Sequence, residues 1–322
     1  MKPFLRILLP AAVCGLLLGA CTQRQTTLKF MSYNIRNGRG IDNVQDLGRV
    51  AEIINRTAPD IVALQELDSV TGRMAGRFIL GELGEMTGMH ARFCRAIDYD
   101  GGAYGVGLLS RDEPLAVRRI PLPGREESRV LFVAEFPDYV VCVTHLSLTP
   151  EDQRASLPII RTVTDTCRKP VLLAGDFNMK VAKTVLDGLG GAFRPLSDTT
   201  QMTFPSGKPS IRIDYILGRG LPESAVVTER QVDTSTVASD HCPLWVSLVN
   251  LNLGREAVAE IIQSDFSVDR AERELRAILH GGSKRGKMLA DFGELKTIIG
   301  GPGASERFAA RMVAELHAQK IK

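Results

Sequence analysis

Excess charge of one sign is the first thing this sequence lacks. Forty Lys and Arg against 37 Asp and Glu leave a formal net charge of +3 over 322 residues. A nucleic-acid ligand draws much of its affinity from neutralised phosphates, so composition gives such a partner no support. Zinc-type cysteine spacing is also absent. None of the six cysteines forms a Cys-x-x-Cys pair, which removes the common structural zinc patterns. The Gly-rich run from Asp98 to Gly107 enters a strand rather than a helix, so it is not a dinucleotide fingerprint. No exposed aromatic hairpin of the lipid-inserting kind stands out. The longest apolar run, Ile7 to Leu18, is shorter than the roughly 20 residues that span a bilayer.

That run has a different meaning in its context. Lys2 and Arg6 precede it, and Gly19 and Ala20 lead into Cys21, the charged, apolar and small-residue order of a secretory signal. Leu18-Gly19-Ala20-Cys21 resembles the lipobox of bacterial lipoproteins. The resemblance implies acylation of Cys21, a membrane partner through the lipid anchor, and a place in the bacterial cell envelope. Thr22 stands where an Asp would resemble an inner-membrane retention signal, which points to the outer membrane, facing the periplasm. Residues 1–20 are thus expected to be a signal peptide and 21–27 a polar tether. Export permits disulfides, but Cys94, Cys142, Cys167 and Cys242 show no paired spacing. Cys142 and Cys242 lie in apolar runs and read as buried free thiols.

From Leu28 onward, short β-rich runs alternate with helical patterns. Strands are expected at Leu28–Ile35, Ile61–Gln65, Gly105–Leu109, Val130–Glu135, Val140–Thr144, Val171–Ala174, Ile211–Leu217 and Leu244–Val249. Val44 to Ile54 places Leu47, Val50, Ile53 and Ile54 on one helical face. Thr149-Pro150-Glu151 opens another helix, with Leu157, Ile160 and Val163 following. The order is that of an α/β fold with helices packed outside sheets. After Leu253 the pattern becomes helical, at Glu256–Ile262, Val268–Leu279 and Glu306–Leu316, broken by Gly281-Gly282 and Gly300-Gly301-Pro302-Gly303. Residues 28–253 therefore read as the functional domain and 254–322 as a helical extension of unknown role. The basic Lys284-Arg285-Gly286-Lys287 reads as a solvated loop.

Polar groups at the ends of apolar strands carry the chemistry, because a strand end is rigid yet meets solvent. Asn34 closes the first strand in Met31-Ser32-Tyr33-Asn34. Gln65-Glu66 closes the second, and Thr144-His145 a later one. Gly175-Asp176-Phe177-Asn178 places a carboxylate and an amide two residues apart, on one side of an extended segment. Asp214 lies inside an apolar strand, where an acid must be paired or bound. Asp240-His241 precedes the last strand. Tyr104, in the Gly-rich turn, is a candidate lining residue of a substrate cleft. Arg125 and Arg129, in Leu122–Arg129, are better read as a solvated turn.

In type, order and spacing these runs resemble the endonuclease/exonuclease/phosphatase superfamily, across Leu28 to Val249. The resemblance implies two stacked, mostly antiparallel β-sheets flanked by helices in four layers, with the active site at one end. It implies a divalent-metal-dependent phosphoesterase that cleaves a phosphodiester or phosphomonoester by metal-assisted attack of water. Mg²⁺ is the expected ion, with Mn²⁺ or Ca²⁺ as substitutes; it prefers oxygen ligands and keeps several waters. Glu66 would be the principal metal ligand, with Asn34 near the metal or phosphate and Asp240 completing the ion's surroundings. Asp176 would orient or deprotonate the water, and Asn178 would hold a phosphate oxygen. His241 would bind phosphate or act as base, with Asp214 fixing its tautomer. His145 resembles the deoxyribonuclease and sphingomyelinase branches, where this histidine protonates the leaving group; abasic-site endonucleases differ there. The substrate could be a nucleic acid, a phospholipid headgroup or a polyol phosphate. No obligate protein partner is evident. The competing reading is a non-catalytic binding or scaffold lipoprotein on the same fold, which could lose Glu66, Asp176, Asp214 and His241 without losing the fold.

Overall fold

The computed structural model describes residues 27–222, 225–249, 268–279 and 281–290. The signal segment, Cys21 and the expected helices Glu256–Ile262 and Glu306–Leu316 lie outside the described residues.

Two β–helix–β crossovers organise the chain. β1 (Leu28–Asn34), α1 (Leu47–Thr57) and β2 (Ile61–Ser69) form the first; β7 (Val140–His145), α3 (Pro150–Asp165) and β8 (Val171–Asp176) form the second. Each makes one parallel strand pair, as a crossover through a helix must. Every other pairing is antiparallel. α2 (Ile79–Thr87), β3 (His90–Tyr99) and β4 (Gly102–Ser110) follow the first unit, and β5 (Ala116–Leu122) and β6 (Arg129–Glu135) precede the second. Then come α4 (Ala182–Gly188), β9 (Phe193–Pro195), β10 (Asp214–Arg219), β11 (Val226–Val232), β12 (Leu244–Val249) and α5 (Val268–Ile278). The strands assemble into two six-stranded sheets, ordered β11-β12-β1-β2-β4-β3 and β5-β6-β7-β8-β10-β9.

Three apolar layers hold the sandwich. Phe30, Ala63, Leu108, Phe132, Val143 and Ala174 pack between the sheets. Met31, Leu64 and Leu109 face outward against α1 and α2. Leu131, Cys142 and Leu173 face α3 and α4. Alternate residues of one strand therefore serve different layers, which is why interior strands are apolar throughout. α1 begins at Leu47, three residues later than its periodicity suggested, because the Asp46 side chain accepts a hydrogen bond from the Gly48 N–H (2.8 Å) and caps the helix.

The eight strands expected from sequence are the eight interior ones, and the four that sequence missed are the four sheet edges, β3, β5, β9 and β11. β5 exposes Arg118 and Arg119, and β11 carries Thr228, Glu229, Arg230 and Gln231. Edge strands bearing charge resist pairing with other chains, and that composition hides them from an apolar-run search. α2 and α4 were also missed: two glycines interrupt the first, and the second is only seven residues long. Asp214 opens β10 rather than lying within it, and Ile211 makes only an isolated bridge to Phe204. Cys94, Cys142 and Cys242 are buried free thiols, and Cys167 is half-buried and free. The basic cluster is solvated at Lys284 and Lys287 as expected but turns into a helix at Arg285; Lys284 pairs with Glu274, and Arg285 donates to the Ile278 carbonyl.

Candidate active site

Both parallel pairs deliver their C-terminal ends to one end of the sandwich. In the second sheet the register sets His145, Asp176 and Asp214 in one row across β7, β8 and β10. In the first, Asn34 lies opposite Gln65. Between Leu64 and Leu67 the β2–β4 register shifts, and Glu66 takes φ +58° on that bulge. A non-glycine residue in this region costs of order 1–3 kcal/mol, and here the bulge turns its carboxylate toward Asn34.

Asn34 joins the two sheets. Its Nδ2 lies 2.9 Å from Glu66 Oε1, 3.2 Å from Asp176 Oδ2 and 3.4 Å from His241 Nε2. Its Oδ1 accepts the Arg36 N–H at 3.1 Å, which sets the amide with its donor side toward the carboxylates. The Ser239 hydroxyl donates to the Asn34 carbonyl (2.7 Å) and thereby docks the 239–241 loop. His241 Nδ1 sits 3.1 Å from both Asp214 oxygens, and its Nε2 is 3.6 Å from Asp176 Oδ2. His145 Nε2 approaches the same Asp176 oxygen at 3.5 Å. The other Asp176 oxygen accepts the Asn178 N–H (2.9 Å), while the Asn178 amide donates to the Leu146 carbonyl. Asn178 has φ +52°, so it turns back on Asp176 rather than continuing an extended segment.

Burial and charge separate the two histidines. His145 is held well below the ordinary imidazole value, first by burial, then by the charges of Arg129 and His241. His241 feels the same burial, but Asp214, followed by Asp176 and Asp240, overrides it and raises its pKa to about 10. Burial and the neighbouring Asp214 push Asp176 up to about 7. The site thus holds one imidazole whose protonated form burial disfavours, one whose protonated form Asp214 favours, and a carboxyl that titrates near neutrality.

These groups border a cavity of about 400 Å³ that also reaches Glu66, Tyr104, Arg129, Lys180 and Asp240. Every candidate from the sequence within the described residues is therefore at one site. Asp240 sits at its edge, 3.5 Å from Arg36 Nε. Tyr104 is a mostly buried strand residue; Arg73 lies over it and over Tyr99, and is itself held by the fully buried Asp68.

Arg129 corrects the sequence reading. It is 6% exposed and pairs with Glu127 (3.1 Å) and Glu126 (3.4 Å), so it is no solvated turn residue. Its Nε is buried without a hydrogen bond among the described residues. The signal was present: Arg129 opens an apolar interior strand, as Asp214 does, while Asn34, His145 and Asp176 close theirs. Arg125 does face solvent, tied to Asp152. Glu126 was also missed. Its carboxylate accepts hydrogen bonds from the Ser147 hydroxyl, the Leu148 N–H and the Thr149 hydroxyl, tying the Arg129 turn to the loop after His145.

Asp176, Asp214 and His241 bring their ligand atoms within 4.8 Å of one another. That set is already hydrogen-bonded internally, with both Asp214 oxygens on His241. Glu66 and Asp240 are carboxylates that line the cavity, Glu66 hydrogen-bonded through one oxygen to Asn34 and Asp240 paired with Arg36, and an all-oxygen set of this kind suits a hard divalent ion.

Comparison with known proteins agrees with this architecture. An endonuclease/exonuclease/phosphatase protein from Beutenbergia cavernae shares 23% identity at a TM-score of 0.53, covering 70% of this chain and 72% of that one. The mannosyl-6-phosphatase Bt3783 of Bacteroides thetaiotaomicron superposes with a TM-score of 0.56 at 19% identity, covering 69% of this chain and 99% of that one. D. rerio TDP2 complexed with single-strand DNA product gives 0.54 at 17% identity, with coverage of 69% and 99%. A 72-residue segment is 38% identical to the lipid-A-disaccharide synthase of Myxococcus xanthus but spans only 18% of that protein. The family model for Endonuclease/Exonuclease/phosphatase proteins matches residues 31–241, which contain all the converging groups described above, and the chain belongs to that family.

Proposed function

We propose that the protein is a phosphoesterase whose water nucleophile is activated at Asp176. The observation that carries this reading is the meeting of Asn34 and Glu66 from one sheet with Asp176 and the Asp214–His241 pair from the other. A buried carboxyl poised near neutrality beside an imidazole whose charged form is favoured supports a catalytic site over a scaffold.

The phosphoryl group enters with its negative oxygens toward Arg129, Lys180 and the His241 imidazolium. The Asp214 carboxylate holds that ring charged and oriented through Nδ1–H. Asp176, with a pKa of about 7, takes a proton from the attacking water, which suits a general base at neutral pH. Asn34 donates to that carboxylate and keeps it aimed. Glu66 and Asp240 would hold a divalent ion, which supplies charge stabilisation to the phosphoryl oxygens when bound. Burial holds the His145 pKa well down, so we assign it a hydrogen bond to the phosphoryl or leaving oxygen rather than the proton-donor role implied by the resemblance, and the leaving oxygen takes its proton from solvent. The cavity admits a small phosphorylated molecule, and the ~400 Å³ volume is at the lower part of the range for ligand pockets. A polyol phosphate or a lipid headgroup is favoured over nucleic acid, in line with the net charge of +3. On sequence grounds we further propose that Cys21 carries lipid and holds the protein in the cell envelope. Incorporation of a clickable fatty acid that persists in Cys21→Ala would refute that anchor.

The activity test is a panel of sugar phosphates, inositol phosphates, sphingomyelin, RNA and plasmid DNA, each with Mg²⁺ or chelator. Metal-dependent turnover of at least one class is expected. No turnover of any class with Mg²⁺, Mn²⁺ or Ca²⁺ would favour the scaffold reading.

A further inference from the structure

A second cleft, of about 350 Å³, opens at the far end of the second sheet. It is bounded by Arg118 of β5, Val133 and Glu135 of β6, Val140 of β7 and residues 166–169 between α3 and β8. His145 and Asp176 close β7 and β8, whereas Val140 and Val171 open them. A six-residue strand spans roughly 17 Å, so this cleft and the active site sit at opposite ends of the sheet.

Its charge is unbalanced. Arg118, Arg168 and Lys169 face one acid, Glu135. Lys169 Nζ is taken up by Glu135 Oε1 and the Phe136 carbonyl, both at 2.7 Å. The nearby Asp165 carboxylate is likewise engaged, by Arg219 and Arg161. Among the described residues, the side chains of Arg118 and Arg168 make no hydrogen bond or ion pair, although the Arg118 charge, behind that of Lys169, helps to keep Glu135 ionised. Two guanidinium groups thus flank one concavity with their donor forks unmatched, and a planar fork suits the paired oxygens of a phosphate. The carbonyl end of α3 opposes an anion here, but charge-assisted hydrogen bonds from two arginines outweigh it.

We propose that this cleft is a second anion site, taking a phosphate dianion between Arg118 and Arg168, distinct from the catalytic cavity. The same chemistry is presented by free inorganic phosphate and by the monoester headgroup of phosphatidic acid. The assignment does not depend on the catalytic reading, and its test does not use activity.

Half-buried Cys167 lines the cleft and provides a local reporter, whereas Cys94, Cys142 and Cys242 are buried. The full chain is alkylated with iodoacetamide at constant ionic strength, and Cys167 is followed by peptide mass spectrometry. One arm adds inorganic phosphate up to about 10 mM, ten times a millimolar Kd. The other adds phosphatidylcholine vesicles with or without phosphatidic acid. At ten times Kd, alkylation of Cys167 should slow about tenfold by mass action. Arg118→Gln/Arg168→Gln should abolish the protection and Arg168→Gln alone should weaken it; both positions are exposed, and a thermal melt checks the fold. Protection by inorganic phosphate identifies the free anion as the source. Protection only by phosphatidic acid identifies the headgroup. Unchanged alkylation in both arms, or equal protection in the double variant, would overturn the proposal.

Discussion

Asp176 lies at the centre of the site: Asn34, Asn178, His145 and His241 all lie within 3.6 Å of its carboxylate. Asp176→Asn keeps the shape and removes the base, so kcat should fall by more than about 10²-fold. His241→Ala should cost about as much, because it removes a charge and leaves Asp214 buried without its partner. Near-normal kcat in either variant would reject these roles. The two roles available to His145 give different outcomes. If it donates a hydrogen bond as a neutral ring, His145→Gln should keep several-fold more activity than His145→Ala; a proton donor would lose equally in both. Arg129→Gln should act mainly on KM, raising it by about tenfold or more, as expected when a charge-assisted phosphate contact is removed. A change confined to kcat would place Arg129 outside the binding step.

Among the elements, β8 and the Glu126 clamp govern how the site is held. Gly175 has φ +153°, and a Cβ there would meet the Thr144 carbonyl oxygen at 1.9 Å. Gly175→Ala must push β8 away from β7, carrying Asp176 with it. It should lower stability by more than about 1 kcal/mol and reduce kcat as well, measurable by urea unfolding and steady-state kinetics. The turn at Glu126 carries a pH signature. Burial opposes its charge, but hydrogen bonds from Ser147 and from backbone N–H groups, together with Arg129, bring its pKa from 4.5 to about 2. An acid lowered in the folded state stabilises the fold above its unfolded pKa, and that contribution is lost as pH falls through the folded value. The stability gap between the native chain and Glu126→Gln should therefore be full above pH 4.5 and shrink toward pH 2. A gap independent of pH over that window would show that the charge of Glu126 does not hold the loop.

Across the whole molecule, stability rests on the layer between the sheets. Phe132 is 2% exposed in that layer, and Phe132→Ala should cost about 3–5 kcal/mol. A domain stable by about 5–15 kcal/mol can survive this, so the variant should melt earlier yet keep its kcat per folded molecule. A proportional loss of kcat at low temperature would mean the core sets the site geometry directly.

What the sequence determined by itself follows from burial. A strand covered on both faces must be apolar throughout, so the eight interior strands were legible, and so were the polar residues that close three of them, Asn34, His145 and Asp176; Glu66, expected to close the second strand, instead sits on a bulge within β2, which runs on to Ser69. Charged edge strands such as β5 and β11 look like loops one residue at a time, because their pairing partner is distant in sequence. Tertiary structure alone decided that Arg129 is a buried site residue and that the donor face of Asn34 turns inward. It also decided that burial lowers the pKa of His145 while Asp214 raises that of His241. Each of these depends on which groups the two sheets bring within a few ångströms, and local sequence does not encode the dielectric or the field at such a meeting point.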